Sequence, residues 1–490
     1  MIDDKQPCSE IQKFTKDIAW VALYQLLTIG FGIITLPALT KSYSTELYGI
    51  WTQVGVTVGL LTPIIMLHLS TAVVRYLAAE NDKRKRQQYF GSMLWPVLVL
   101  ALLITLISLI FKEALSLFIF SSNGYEIFVL LTFLWVSTSA LFGLAISYLR
   151  ARGKIRKLSI INITFTIVKM LVIVFFTLTG YQLEYIIISI IAIEGLLVIT
   201  IFGMIIKNIG FPWPQITGLC RFLSFSIPQI PSGILLWIVS ASDRYFITHM
   251  LDLSQTGIYN ASYNLGSLIA IFFSPISFVL LPSLSKFWEN KDLSKVKNYL
   301  EYSNKLFLSL AIPGVAGLHI LSQPLLKVLA GSEYAIGAEL VSLIALGTIL
   351  LGTYQINLYV VYLVEKTKFL PFMIAIAAGV NAAINIILIP QIGVMGAVIS
   401  TIAAYFILVV IVTIWARKVI RYKVDILFLS KVILATVIMA LLLSFLTVNS
   451  ILIIGFSAIC AGAVYFICLV LLKAFTKQDI LLLKVIFKGF

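Results

Sequence analysis

From one end of the chain to the other, apolar runs of about 20 residues follow one another, separated by short polar loops. Wound as a helix, a run of that length crosses a hydrocarbon core of roughly 30 Å. The strands of a membrane barrel would be about half as long and would alternate in polarity. Unbroken runs therefore mean helices, which satisfy their own backbone hydrogen bonds where no water is present. The composition agrees, with 60% of the 490 residues hydrophobic and 12% charged. A soluble domain is about half apolar and a quarter charged. The fold class is thus an all-α integral membrane protein. The formal charge of +15 does not point to nucleic acid, because the lysines and arginines sit in short loops between spans, beside membrane lipids. The four cysteines (Cys8, Cys220, Cys460 and Cys468) show no ligand spacing, and none needs to be in a disulfide. The first apolar run, from about Asp17, is full-length and reads as a span rather than a cleavable signal.

Fourteen spans are expected, starting near Asp17, Gly49, Phe90, Glu126, Leu158, Glu184, Phe222, Ile258, Ser303, Ile336, Phe369, Val394, Leu429 and Ile451. An even number puts both termini on one side. Cytoplasmic loops collect lysine and arginine. With the termini in the cytoplasm, 31 of the 36 basic residues lie on the inner face. The outer face keeps Lys41, Lys112 and Lys327, while Lys169 and Arg244 fall inside spans. Adding or removing one span would scramble this alternation. Residues 286–304 carry Trp288, Leu293, Val296 and Leu300 among charges, the pattern of a short amphipathic helix on the inner surface. Residues 477–490 look similar.

The chain repeats itself with a period of six spans. Gly49-Ile50-Trp51 opens span 2, and Gly257-Ile258-Tyr259 opens span 8. Thr62-Pro63 breaks the one and Ser274-Pro275 the other. Tyr148-Leu149 with Lys154 after span 4 matches Tyr362-Leu363 with Lys368 after span 10. Gly180 turns the 5–6 hairpin and Gly393 the 11–12 hairpin. An even repeat keeps both copies in one orientation, related by an axis along the membrane normal. The expected organisation is a lobe over residues 1–220 (spans 1–6), a second over 221–425 (spans 7–12) and an appendage over 426–490 (spans 13 and 14). Two such six-helix lobes would face each other across a central cavity, and rocking would open it to each side in turn.

A charge in mid-membrane is costly and marks a functional candidate. Lys169 lies near the middle of span 5, sharing a face with Asn162 and Thr166 at helical spacing. Glu194 lies near the middle of span 6, at the same depth if the two helices are antiparallel neighbours. The pair either fixes the packing of spans 5 and 6, or Lys169 offers charge to an anion while Glu194 titrates or binds a cation. The second half has no such charges at matching places and instead has Asn381 and Asn385, one turn apart on span 11. Asp243 and Arg244 sit late in span 7, with Gln229, Ser232 and Ser240 before them on the same helix. Arg244 is suited to bidentate phosphate binding; a local Asp–Arg pair is the alternative. Arg75, at the inner end of span 2, meets phosphate headgroups or snorkels. Gln355 and Asn357 on span 10 are candidate sugar partners. No phosphate loop, metal-ligand motif or nucleotide-holding domain is visible. No enzyme or cofactor is therefore expected, and energy comes from a gradient, of protons or sodium ions, from the substrate's own asymmetry, or from neither.

The run Ser226-Ile227-Pro228-Gln229-Ile230-Pro231-Ser232-Gly233, with Trp237 and Ser242-Asp243-Arg244-Tyr245, resembles the seventh helix of prokaryotic polysaccharide flippases. So does NAAINIILIPQIGVMGAVISTIAAY over residues 381–405. Tyr43-Ser44 and Glu46-Leu47-Tyr48-Gly49 resemble that family's first turn. The resemblance covers nearly the whole chain and places it in the multidrug/oligosaccharidyl-lipid/polysaccharide (MOP) exporter superfamily. It implies a plasma-membrane transporter that moves polyprenyl-diphosphate-linked oligosaccharide from inner to outer leaflet by alternating access. A glycan polymerase is the implied further partner. Lys169, Arg244 and Arg75 would then serve the diphosphate, with Gln229, Gln355, Asn381, Asn385 and Asn162 serving the glycan. Related lipid II flippases use several arginines from their first two helices, where this chain has only Arg75, so a peptidoglycan precursor fits poorly. The alternatives are a cation-coupled multidrug antiporter, which midplane Lys169 and fourteen spans disfavour, and a membrane-embedded glycan polymerase, which lacks a large outer loop here.

Overall fold

The computed structural model describes residues 5–422, 425–446 and 450–475. Among them every regular element is helical. Thirteen helices are long and apolar enough to cross a membrane, and one bent pair makes a fourteenth span. Spans 1 to 6 are Leu23–Ser42, Thr45–Ile65, Lys83–Ile110, Glu126–Ala151, Ile155–Leu178 and Leu183–Ile209. Spans 7 and 8 are Leu219–Ala241 and the bent pair Leu253–Phe272 with Ser274–Glu289. Spans 9 to 14 are Leu293–Leu329, Ser332–Leu363, Leu370–Ile392, Val394–Val419, Ile426–Ser444 and Ile451–Leu471.

Local chemistry sets many of the ends. Ser44, Asp82, Asp292, Asp425 and Ser450 each cap a helix by accepting backbone N–H groups of its first turn. The lysine and arginine N–H groups hold the exposed Asp82 carboxyl below its usual range. Gly180 and Gly393 turn their hairpins at φ 73° and 63°, where a side chain would be strained.

Three elements differ from the sequence reading. Span 2 does not break at Thr62-Pro63; Pro63 stays inside the helix. The chain breaks four residues later, where Leu67 and His68 both take left-handed φ, and resumes as the helix Leu69–Ala78. Residues 286–304 are not a separate surface helix. A turn at Lys291 ends span 8, and Leu293 then starts one helix of 37 residues that continues through span 9. Its Val296 and Leu300 are fully buried, which holds these first turns to the protein rather than to the lipid surface. Span 7 stops at Ala241, and a separate helix Asp243–Met250 carries the Asp–Arg pair. By contrast, Ser274-Pro275 does mark a bend, of 43°. The expected amphipathic stretch at residues 477–490 lies outside the described residues.

The chain forms two compact units. The first runs up to Trp237 and includes Asp252–Ser254; the second comprises Ile238–Leu251 and everything from Gln255 onward. Within the first, span 1 packs on span 5, span 2 on span 4, span 3 on span 4, span 4 on span 6, and span 5 on span 6. Within the second, the helix Asp243–Met250 packs on span 11, span 8 on span 10, span 9 on span 10, span 10 on span 12, and span 11 on span 12. The same pairings recur six spans apart, which is how a duplicated fold looks from inside each copy. Spans 13 and 14 attach to span 9 through Leu321, Val432, Met439, Ile454 and Tyr465, and the Tyr465 hydroxyl donates to the Ser309 carbonyl at 2.5 Å. Their other sides carry exposed Phe445, Leu452, Phe456 and Val470, as a lipid-facing surface requires.

The 11–12 hairpin closes on Gly396, where an added methyl would lie 2.6–2.8 Å from the backbone of Leu388 and Ile389. Gly396→Ala is expected to destabilise by about 1–3 kcal/mol, read as a lower unfolding midpoint of the purified protein. Gly55→Ala, with nothing within 4 Å, should leave the midpoint unchanged or slightly raised. Equal effects would contradict the close packing.

Candidate functional site

Lys169 lies about 4 Å from the midpoint of span 5, and Glu194 about 3 Å from that of span 6, both displaced toward the hairpin that joins them. The two charges are thus at one depth and feel each other, yet no carboxylate oxygen lies within 4 Å of the Lys169 ammonium among the described residues. They do not touch, although Trp135 neighbours both. The Lys169 ammonium sits over the Trp135 ring at 5.1 Å and the Trp51 ring at 5.8 Å. The two indoles themselves meet at 5.9 Å between centroids. Glu194 is 4% exposed. Its carboxylate accepts from the Ser139 hydroxyl at 2.9–3.0 Å, with the Thr138 hydroxyl at 3.3 Å.

This arrangement gives a cation held by π faces, which supply roughly 0.5–2 kcal/mol and leave its N–H donors unspent. Such a lysine can receive an anion without first breaking a salt bridge. Neither tryptophan was singled out for this role by the sequence, although Trp51 opens the repeat motif. The signal on span 4 is Trp135 with Thr138 and Ser139, at i+3 and i+4 on one face of the helix. Asn162 and Thr166 do share the Lys169 helix, and the Thr166 hydroxyl bonds back to the Asn162 carbonyl at 2.8 Å.

The other candidates lie elsewhere. Arg244 is not an open phosphate site: it is 4% exposed and bonded to Asp243 at 2.6 Å. Its guanidinium also lies over the Tyr263 ring at 3.9 Å and the Tyr259 ring at 5.0 Å. Asp243 further accepts from the Tyr259 hydroxyl and from Thr401. Asn381 and Asn385 do not present their amides to a cavity. Both are fully buried, bonded to each other at 3.1 Å and to the Ser400 hydroxyl at 3.3 and 2.7 Å. This network ties spans 11 and 12 together. Half-buried Gln229 donates to the Phe225 carbonyl in its own helix. Half-buried Gln355 lies on span 10 of the second unit. Arg75 is exposed at the end of the helix Leu69–Ala78, stacked on Phe225 at 4.4 Å. An apolar groove of about 440 Å³ runs along spans 9, 13 and 14, floored by Gly314, Gly317 and Gly462.

Arg244→Gln should cost about 3–5 kcal/mol by leaving Asp243 buried and unpaired, seen as lost protein or a lowered unfolding midpoint. Adding Asp243→Asn should recover much of that loss. A single variant as stable as the parent would contradict the closed pair.

The sequence profile of the polysaccharide biosynthesis protein family matches residues 14–288. The chain is 22% identical over 69% of its length to the succinoglycan biosynthesis transport protein ExoT of Rhizobium meliloti, covering 67% of that protein. It is 24% identical over 53% of its length to the probable flippase AglR of Haloferax volcanii, spanning about half (55%) of it. Its fold matches the inward closed conformation of the lipid II flippase MurJ with a TM-score of 0.77, at 17% identity over 93% of this chain and 98% of that one. It matches an inward-facing MATE multidrug transporter of the MOP superfamily with a TM-score of 0.62, at 12% identity over 82% and 97%. With more than half of its length matched by the family profile, the chain belongs to the polysaccharide biosynthesis protein family, built on the fold of the MOP superfamily transporters.

Proposed function

We propose that this multi-pass membrane protein flips an anionic lipid-linked glycan, an oligosaccharide on polyprenyl diphosphate, from the inner to the outer leaflet. The observation that carries the reading is the Lys169 ammonium, at mid-membrane between two indoles with no carboxylate within 4 Å among the described residues. A diphosphate crossing the bilayer needs a cation at that depth. The indole faces also suit sugar rings, which stack on aromatics through their C–H faces. The polyprenyl chain is apolar and can stay in the hydrocarbon of the bilayer while the headgroup crosses. The family and the names of the relatives agree with glycan transport.

In this reading Glu194 serves energy coupling. Its hydroxyl ligands fit a carboxylate that exchanges a proton or a sodium ion as the diphosphate draws Lys169 away. No cofactor is required. Both termini lie in the cytoplasm, and a glycan polymerase receives the product outside. A drug antiporter on the same fold would bind cations, and a lysine beside the carboxylate opposes that.

Lys169→Ala is expected to abolish surface glycan while the protein still reaches the membrane, scored by glycan staining against membrane abundance. Normal surface glycan would sink the cavity role. Reversing both charges (Lys169→Glu with Glu194→Lys) should restore abundance more than transport. Full transport rescue would favour a purely structural pair.

A further inference from the structure

The second unit holds a separate cavity of about 180 Å³, its wall mostly apolar with charged and amide side chains set into it, far above the roughly 10–15 Å³ that one water needs. It lies where the start of span 9, the late part of span 10, the end of span 12 and the start of span 13 meet. The bias of basic residues assigns all four of those ends to the cytoplasmic side. The cavity therefore sits at the depth of inner-leaflet headgroups.

Its lining carries both signs of charge. Lys305 on span 9 bonds Asp425, the cap of span 13, at 2.8 Å. That bond, with the Phe428 N–H, holds the Asp425 carboxyl below its usual range. Arg417 and Glu301 supply a further cation and anion. The Arg417 guanidinium stacks near Tyr422 at 5.5 Å. Deeper in, Asn357 is 2% exposed and donates to the Thr413 hydroxyl at 2.8 Å. Its carbonyl oxygen is buried and has no hydrogen-bond partner, and the residue is one of those lining the cavity. A buried amide oxygen left unbonded costs about 1–3 kcal/mol, so its place is best explained by a donor that arrives with a ligand. Leu308, Val409, Phe428 and Leu429 make the remaining wall apolar.

We infer that this cavity binds a zwitterionic phospholipid headgroup bearing a primary ammonium, that of phosphatidylethanolamine. The phosphate meets Arg417. The ammonium supplies N–H donors to the Asn357 oxygen on the side of Glu301. The glycerol and first methylenes follow the apolar wall. A choline headgroup has the same charges but no N–H to give, and a glycerol headgroup brings the phosphate without a compensating cation. A lipid in this place would pin span 13 to span 9 and so fix the C-terminal pair of spans to the second unit, independently of the cargo.

The test uses delipidated full-length protein and three short-chain probes, dihexanoyl phosphatidylethanolamine, -choline and -glycerol. Unfolding midpoints are followed against probe concentration. The ethanolamine lipid should raise the midpoint saturably, at about tenfold lower concentration than the other two. Arg417→Gln, an exposed position, should weaken that response by about tenfold, the worth of one charge-assisted bond. Equal responses to all three lipids, or none, would overturn the proposal, as would an unaltered response in Arg417→Gln. Equal binding of chain-free glycerophosphoethanolamine would also overturn it, in favour of a soluble ligand. None of these readouts depends on flipping, so failure here leaves the transport proposal standing.

Discussion

The cost of placing a charge in hydrocarbon governs this molecule. Each ion buried among the helices must be solvated by protein, and the chain does this in two different ways. In the second unit the solution is closed. Asp243 and Arg244 bond each other, two tyrosine rings cover the guanidinium, and a phenol and a threonine hydroxyl take up the carboxylate. The Arg244 Nε is buried without a hydrogen-bond partner, while Nη1 and the carboxylate are taken up within the pair and its neighbours. In the first unit the solution is open. Lys169 rests on two indoles and Glu194 on hydroxyls, at one depth but out of contact. A closed pair stabilises a fold; an open pair can exchange its partners. The asymmetry between two halves of one repeat is therefore the main functional signal.

The repeat also explains why such a pair can exist. Spans 4, 5 and 6 form one packed set in the first unit, just as spans 10, 11 and 12 do in the second. In the second set, Asn381, Asn385 and Ser400 fill the corresponding interior with a neutral hydrogen-bonded network. Amides and hydroxyls bond each other at modest cost there, which is sufficient for packing. Among the described residues only the first set carries ions near the middle of its spans, and there a tryptophan from span 2 joins one from span 4. The duplicated scaffold supplies the geometry, and a few substitutions in one copy supply the chemistry.

Much of this was legible in the sequence because hydropathy and loop charge are local properties. Spans 12 and 14 begin at Val394 and Ile451, where the reading put them, since a glycine turn and a serine cap mark those starts. The equal depth of Lys169 and Glu194 followed from counting residues to a hairpin. What was not legible depends on side chains meeting across helices. The indole cage needs Trp51, Trp135 and Lys169 from three spans, and no spacing in one dimension reveals it. Arg244 looked available because the tyrosines that cover it are 15 and 19 residues further on. The continuation of residues 286–304 into span 9 was hidden because charges among apolar residues suggest a surface helix. Burial of Val296 and Leu300 by neighbouring helices decided otherwise.

Where lipid-linked glycan goes when this protein is removed tests flipping most directly. Polyprenyl-diphosphate oligosaccharide, resolved by leaflet in cells lacking the chain, should accumulate on the inner leaflet while surface glycan disappears. The mass of the accumulated species would identify the cargo. Unchanged lipid-linked glycan, with altered sensitivity to cationic drugs, would contradict the account and make Glu194 the coupling carboxylate of an antiporter.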